Sequence, residues 1–249
     1  MDSISIIRTP IESELEAFKE LYDSSLSSSN TLLDSVVAHI RQRSGKMMRP
    51  ILVLLVARLY GVVSPATLHA AVSLELLHNA SLVHDDVVDE STERRGQLSV
   101  NAIFNNKVAV LTGDYLLATS LVHAELTNSH QIIRLVSSLG QDLADGELLQ
   151  LSNVSNHSFS ETVYFDVIRK KTAALFAACT EAAAYSVGVS EEEVKLARLL
   201  GEYIGICFQI KDDIFDYFDS KEIGKPTGND MLEGCLLYTS PSPRDMRRS

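Results

Sequence analysis

A chain of 249 residues holds enough material for one large domain or two small ones, so core size is not limiting. Hydrophobic residues make up 45%, and 33 acids outnumber 22 Lys and Arg, a net charge of -11 that argues against a nucleic-acid partner. Three cysteines, Cys179, Cys207 and Cys235, are too few and too far apart for a disulfide scaffold or a thiolate metal cage, so a reduced, cytoplasmic setting is expected.

The first residues turn acidic at Glu12, Glu14 and Glu16, without the basic and apolar regions of a signal peptide. The longest uncharged run, 59–74, is shorter than the roughly 20 apolar residues of a membrane span and contains Gly61, Pro65 and His69. No transmembrane helix is expected.

Residues 11–20 (IESELEAFKE) repeat apolar and charged side chains at helical spacing. The Ser-rich stretch 24–30 breaks that helix and offers Asn30 or Thr31 as the N-cap of the next, LLDSVVAHI. Gly45 predicts a turn, and Pro50 suits the first turn of an apolar helix through Leu59. Another helix starts near Ser64-Pro65 and runs without Gly or Pro to about Asp89. Its 24 or so residues span roughly 36 Å. RRGQ at 94–97 is a polar connection, and 100–126 reads as helix broken only at Gly113. A helix is expected from His130 to Leu151, then a loop over 152–158, then an Ala-rich helix to Gly188. Ser190 and Glu193 form a capping box for a last helix reaching Phe218. The expected architecture is therefore all-α, with little support for sheets. One incomplete helical domain is expected over 1–234. Residues 235–249, CLLYTSPSPRDMRRS, lose the helical period and read as an aberrant or disordered tail.

Two aspartate clusters carry the chemistry. DDVVD holds Asp85, Asp86 and Asp89 at i, i+1 and i+4, which puts the first and third carboxylates on one helix face. DDIFD repeats the spacing with Asp212, Asp213 and Asp216, again at the end of a hydrophobic helix. Carboxylates confined this way repel one another unless cations neutralise them, and hard oxygen donors suit Mg²⁺, commonly completed by water and substrate phosphate. A metal-bridged polyphosphate is the expected ligand, and a bundle can supply an apolar cavity in which a carbocation escapes water.

Lys46 and Arg49 beside Gly45, and Arg94 and Arg95 after the first cluster, are placed to balance phosphate charge. The plainer reading pairs Arg94 and Arg95 with Glu90 and Glu93. His78, seven residues before Asp85, faces the same side and either donates to a substrate oxygen or merely fills the helix. His84 reads as a hydrogen-bonding support. Lys171-Thr172, Gln209 and Lys211 punctuate apolar helices, and Lys225 follows the second cluster in GKPTGND.

Together, GKMMRP at 45–50, LLHNASLVHDDVVDESTERRG at 76–96, GELLQ at 146–150, KTAALF at 171–176 and FQIKDDIFDYF at 208–218 resemble the all-trans isoprenyl diphosphate synthases, or polyprenyl synthetases. The resemblance covers roughly 12–234. It implies an isoprenoid-synthase-type helical bundle around a central cavity, a homodimer, and three Mg²⁺ held between two facing aspartate motifs and an allylic diphosphate. On that resemblance Asp85, Asp86, Asp89, Asp212, Asp213 and Asp216 form the metal motifs. Arg94, Lys171 and Lys225 contact the allylic diphosphate. Gly45, Lys46, Arg49, His78 and Arg95 form the isopentenyl diphosphate site, while Thr172, Gln209 and Gln150 border the reacting carbons. The implied reaction ionises the allylic substrate, lets the isopentenyl double bond attack, and loses a proton. In the family a bulky residue just before the first motif floors the cavity; Ala80 and Ser81 are small, which implies a medium or long product. Family members continue past GKPTGNDMLEG with further helices, which this chain replaces with its Pro/Ser/Arg tail.

Two other functions compete. A noncatalytic or regulatory subunit would keep the fold without turnover, and a class I terpene cyclase would ionise the same diphosphate. The cyclases usually carry an Asn/Ser/Glu-type second motif, unlike DDIFD, and have no use for GKMMRP and RRG.

Overall fold

The computed structural model describes residues 3–42, 47–94, 96–155 and 161–217. Gly45, Lys46, Arg95, Lys225 and the tail 235–249 lie outside the described residues, as does the side chain of Asp216.

The described chain is almost entirely helical: α1 (Ser3–Arg8), a 3-10 turn (Thr9–Ile11), α2 (Glu12–Ser25), α3 (Thr31–Gln42), α4 (Met48–Tyr60) and α5 (Pro65–Val88). Short strands β1 (Glu93–Arg94) and β2 (Gln97–Leu98) pair antiparallel, followed by α6 (Val100–Phe104), α7 (Asn106–Leu126) and α8 (His130–Ser155). The chain continues through α9 (Glu161–Ile168), a π-helical turn (Arg169–Ala173), α10 (Ala174–Ser186) and α11 (Glu191–Tyr217).

Local chemistry sets most of these boundaries. Asn30 caps α3 by accepting from the backbone N–H of Leu32 and Leu33 at 3.0 and 3.2 Å. Ser64 and Thr67 form a reciprocal capping box on α5, with Pro65 at its first turn. Ser190 and Glu193 do the same for α11: the backbone N–H of Glu193 donates to Ser190 Oγ at 3.3 Å, and that of Ser190 to Glu193 Oε2 at 3.0 Å.

Four expectations are revised. The break between 100 and 126 falls at Asn105, whose φ of 87° is left-handed and whose side chain caps Val108, while Gly113 lies inside α7. Residues 152–155 continue α8 rather than forming a loop. The polar connection around Gly96 is a small hairpin, since Gly96 at φ 74° supplies the reversal. The Ala-rich stretch is not one α-helix, because a π-helical turn interrupts it at Lys171-Thr172.

Two helices occupy the middle. α5 packs against α2, α4, α7 and α10, and α10 against α4, α5, α8 and α11. Every residue from Leu175 to Ala184 is buried, so α10 has no solvent face along that stretch, and its small alanines let neighbours approach closely. Leu54, Leu74, Leu76 and Leu116 are fully buried in the same core. Each such side chain contributes about 2 kcal/mol of hydrophobic burial.

Close approach also positions α11. A Cβ at Gly201 would stand 2.3 Å from Thr180 Oγ1, and one at Gly205 2.5 Å from Ala173 Cα. Only glycine lets α11 press against α10 and the π-helical turn there. That contact brings Gln209 within hydrogen-bonding distance of Thr172. α5 and α7 are joined in the core by reciprocal bonds, Ser73 Oγ donating to Ser120 O at 2.9 Å and Ser120 Oγ to Ser73 O at 2.8 Å. Among the described residues, no helix is long and apolar enough to cross a membrane.

Candidate active site

The last turn of α5 carries the first aspartate cluster into a crowded, partly desolvated setting. Burial pushes the Asp85 carboxyl up to about 6; Lys171 opposes this, Glu147 adds to it, and Arg94 and Asp89 make smaller opposing contributions. Asp89 moves in the same direction, with burial again first and Lys171 against it. The two carboxyls are therefore short of compensating positive charge.

Asp86 is handled differently. It is 1% exposed, and Arg94 donates to its Oδ1 across 2.5 Å from the hairpin that follows. Its backbone carbonyl accepts from Asn101 Nδ2 at 3.1 Å and from the Ser91 N–H at 3.0 Å, which ties the helix end to α6 and the hairpin. Arg94 therefore pairs with a carboxylate of the cluster itself, where the plainer reading expects Glu90 or Glu93.

The second cluster repeats this division. Asp213 is 7% exposed; Tyr164 of α9 donates to its Oδ2, and Gln209 Nε2 donates to its Oδ1 at 2.7 Å. Thr172 in turn donates to Gln209 Oε1 at 2.7 Å. Asp212, the first residue of the cluster, is only partly buried. In both motifs the middle aspartate is turned into the protein and held by side chains.

The π-helical turn joins the two halves. Lys171 Nζ lies 2.8 Å from Glu147 Oε2 and donates to Gln150 Oε1 at 3.0 Å, and its charge acts on Asp85 and Asp89. The next residue, Thr172, serves the second cluster through Gln209. Neighbouring residues in a regular α-helix point about 100° apart, and the widened turn lets this dipeptide address both motifs.

The remaining candidates sit further along the packed helices. Arg49 on α4 stacks over the Phe176 ring, 5.4 Å from its centroid, and Phe176 itself lies 5.3 Å from the Phe208 ring. His78 is buried on α5, two turns before Asp85, and its carbonyl accepts from Ser81 Oγ at 2.9 Å. His84 leaves the site: its Nε2 is 3.4 Å from Asp114 Oδ1, and a Cβ at Gly113 would stand 2.2 Å from it, so it lies flat across α7. Lys211 caps the Phe215 ring at 5.5 Å.

Sequence reasoning missed Glu147, Tyr164 and Asn101. Glu147 had a signal, because it sits three residues before Gln150 in GELLQ and so shares its helix face. Tyr164 and Asn101 had none, since each reaches an aspartate far away in sequence.

Among the described residues, no three His, Cys, Asp or Glu side chains converge tightly enough to enclose an ion alone. The donors available, Asp85, Asp89 and Asp212, are hard oxygens, and the raised Asp85 and Asp89 carboxyls mark a place where added positive charge is favourable. That fits Mg²⁺, which tolerates few protein ligands and fills its shell with water and phosphate oxygens. An open surface groove of about 510 Å³, lined by Thr9, Glu12, Glu16 and Arg58 among others, shares none of these residues.

The polyprenyl synthetase family pattern matches residues 30–240. The chain is 38% identical over 228 residues to heptaprenyl diphosphate synthase component 2 of Geobacillus stearothermophilus, covering 90% of this chain and 70% of that protein. Among solved structures it resembles a geranylgeranyl pyrophosphate synthase from Bacteroides thetaiotaomicron, with a TM-score of 0.80, 76% identity, and coverage of 95% of this chain and 71% of that one. It also resembles a polyprenyl synthase from Caulobacter crescentus complexed with calcium and isoprenyl diphosphate, with a TM-score of 0.88, 33% identity, and coverage of 93% and 71%. Two aspartate motifs facing a shared Lys-Thr turn, an all-helical bundle and these likenesses agree: the chain belongs to the all-trans polyprenyl diphosphate synthase family.

Proposed function

We propose that the protein is a trans-prenyltransferase that joins isopentenyl diphosphate to an allylic diphosphate and releases a trans product longer by one five-carbon unit. The observation that carries this reading is the Lys171-Thr172 turn, which serves both aspartate motifs at once. A substrate whose diphosphate spans the clusters would have its allylic carbon beside Thr172 and Gln209.

Asp85, Asp89 and Asp212 would hold Mg²⁺, with Asp216 completing the second motif. When bound, Mg²⁺ draws charge from the diphosphate and makes it a better leaving group. Lys171 adds a fixed positive charge on the same side. The Thr172 hydroxyl donates its hydrogen bond to Gln209 Oε1, so its oxygen lone pairs would remain to face developing positive charge. Gly45, Lys46, Arg49, His78 and Arg95 would bind the second diphosphate, and Lys225 the first. Asp86 and Arg94 shape the helix end, and Arg94 would contact the allylic diphosphate from there.

Ala80 and Ser81, about one turn before Asp85, are small side chains, which supports a medium or long product growing along α5. The likeness to a geranylgeranyl pyrophosphate synthase makes a four-unit product the first to look for, with longer products as the space allows. A homodimer in the cytoplasm is part of this reading, supported by an exposed apolar stripe on α7 that includes Val110, Leu111, Leu121 and Val122.

Purified protein incubated with Mg²⁺, geranyl or farnesyl diphosphate and labelled isopentenyl diphosphate should yield extended prenyl diphosphates on thin-layer separation. A folded sample that makes none would favour a noncatalytic subunit, and a cyclic hydrocarbon would favour a cyclase.

A further inference from the structure

We infer that Tyr164 and Asp213 are positioning residues that fix the amide of Gln209, and through it the Thr172 hydroxyl, rather than binding substrate or metal themselves. This rests on the proposed prenyl transfer.

The amide of Gln209 has two faces, an oxygen that only accepts and an NH₂ that only donates, and rotation by 180° exchanges them. Which way it points decides what Thr172 presents. With the oxygen toward Thr172, the hydroxyl proton is committed to Gln209 and the threonine oxygen shows lone pairs elsewhere. With the NH₂ toward Thr172, the hydroxyl would accept instead and its proton would point at the reacting carbons, where positive charge develops.

Asp213 removes the choice. A carboxylate only accepts, so its Oδ1, 2.7 Å from Gln209 Nε2, demands the NH₂ face. The other amide face is left for Thr172 Oγ1 at 2.7 Å. Tyr164 then holds Asp213 itself: its hydroxyl donates to Oδ2, so the carboxylate plane cannot rotate without losing a bond. Tyr164 is 9% exposed and comes from α9, so the relay ties three segments together: α9, the π-helical turn and α11. Both oxygens of Asp213 thus serve protein donors.

Tyr164→Phe keeps the ring and removes only the donor. Losing one hydrogen bond to a charged group should lower kcat about tenfold, with little change in either substrate's KM or in the Mg²⁺ concentration for half-maximal rate. Because Tyr164 acts through Gln209, the same change in a Gln209→Ala background should add less than about twofold. Asp213→Asn should likewise depress kcat without raising the Mg²⁺ requirement. Urea midpoints for Tyr164→Phe, Asp213→Asn and the double variant should be non-additive, which reads the Tyr164 to Asp213 bond without reference to turnover.

A Tyr164→Phe protein with unchanged kcat, an Asp213→Asn protein whose only defect is a raised Mg²⁺ requirement, or full additivity with Gln209→Ala would overturn the assignment alone. A folded parent protein that forms no extended product would overturn it together with the proposed function.

Discussion

Arg94 Nε lies 2.5 Å from Asp86 Oδ1, so the arginine that follows the first aspartate motif is bonded to that motif's middle carboxylate. Asp86 is 1% exposed, and a carboxylate that deep is tolerated only with a cationic or hydrogen-bonding partner. The pair makes the hairpin part of the site's foundation. Arg94→Ala should therefore destabilise the substrate-free protein by about 2 kcal/mol, because it removes a major partner of a buried charge. An arginine that only met phosphate would leave the substrate-free thermal midpoint untouched, which differential scanning calorimetry can read directly.

The first carboxylate of the motif predicts the opposite sign. Burial holds the Asp85 carboxyl at about 6, above its ordinary 3.8, so between those values the folded chain binds more protons than the unfolded one. Stability from this group is lost as pH rises from about 4 to about 6, and the penalty is fully present at neutral pH. Asp85→Asn should stabilise the metal-free protein at pH 7.5 by roughly 2 kcal/mol while cutting condensation at least a hundredfold. Added Mg²⁺ with a diphosphate should raise the parent's thermal midpoint and leave the variant's nearly still.

Between α5 and α7, the Nδ1 atoms of His69 and His123 are 3.0 Å apart, a distance that requires one to donate and the other to accept. Burial first, and the neighbouring His69 second, push His123 down to about 4, and burial lowers His69 too. Both are therefore neutral in the folded protein near pH 7, while the unfolded chain takes up protons from about 6.5 downward. The stability is present above pH 6.5 and is lost as pH falls toward 4. Thermal midpoints across that range should fall, and should fall less steeply for His123→Gln, whose amide cannot take up the proton.

The apolar stripe on α7 predicts its own cover. Leu111 is 60% exposed and Val122 56%, eleven residues or about three turns apart on one face. Sedimentation of the parent protein should give a dimer, and Leu111→Glu with Val122→Glu should give a folded monomer. A parent that sediments as a monomer at micromolar concentration would remove the homodimer from the proposed function.

Product length is open to a volume test. Ala80 is 2% exposed on α5, about 7.5 Å of helix before Asp85. Ser81→Phe, at the partly buried neighbouring position, should shift products toward shorter chains with little loss of first-step rate. An unchanged product ladder would mean that another wall sets the length.

The helical class was legible because Gly and Pro are scarce and capping residues stand where helices begin. Asn30, Ser64 and Ser190 act on groups two to three residues away, so their effect is local and readable. The two aspartate motifs were legible for the same reason: a spacing of i, i+1, i+4 sets the faces of a single helix whatever surrounds it. The π-helical turn was not legible, since RKKTA has ordinary helix propensity and the turn's close contact, with Gly205 of α11, lies more than thirty residues away in the chain.

What the sequence determined by itself is the class, the capping of the main helices and which aspartates share a helix face, because each depends on neighbours within a turn or two. What only the tertiary structure decided is the division of labour inside each motif. Asp85 and Asp86 are adjacent and chemically identical in the sequence, as are Asp212 and Asp213. Arg94 and Asn101 reach Asp86 from eight and fifteen residues away, while Tyr164 reaches Asp213 from forty-nine. Burial and hydrogen bonding from distant segments set which carboxylate of each motif is held by protein donors, and those are properties of packing.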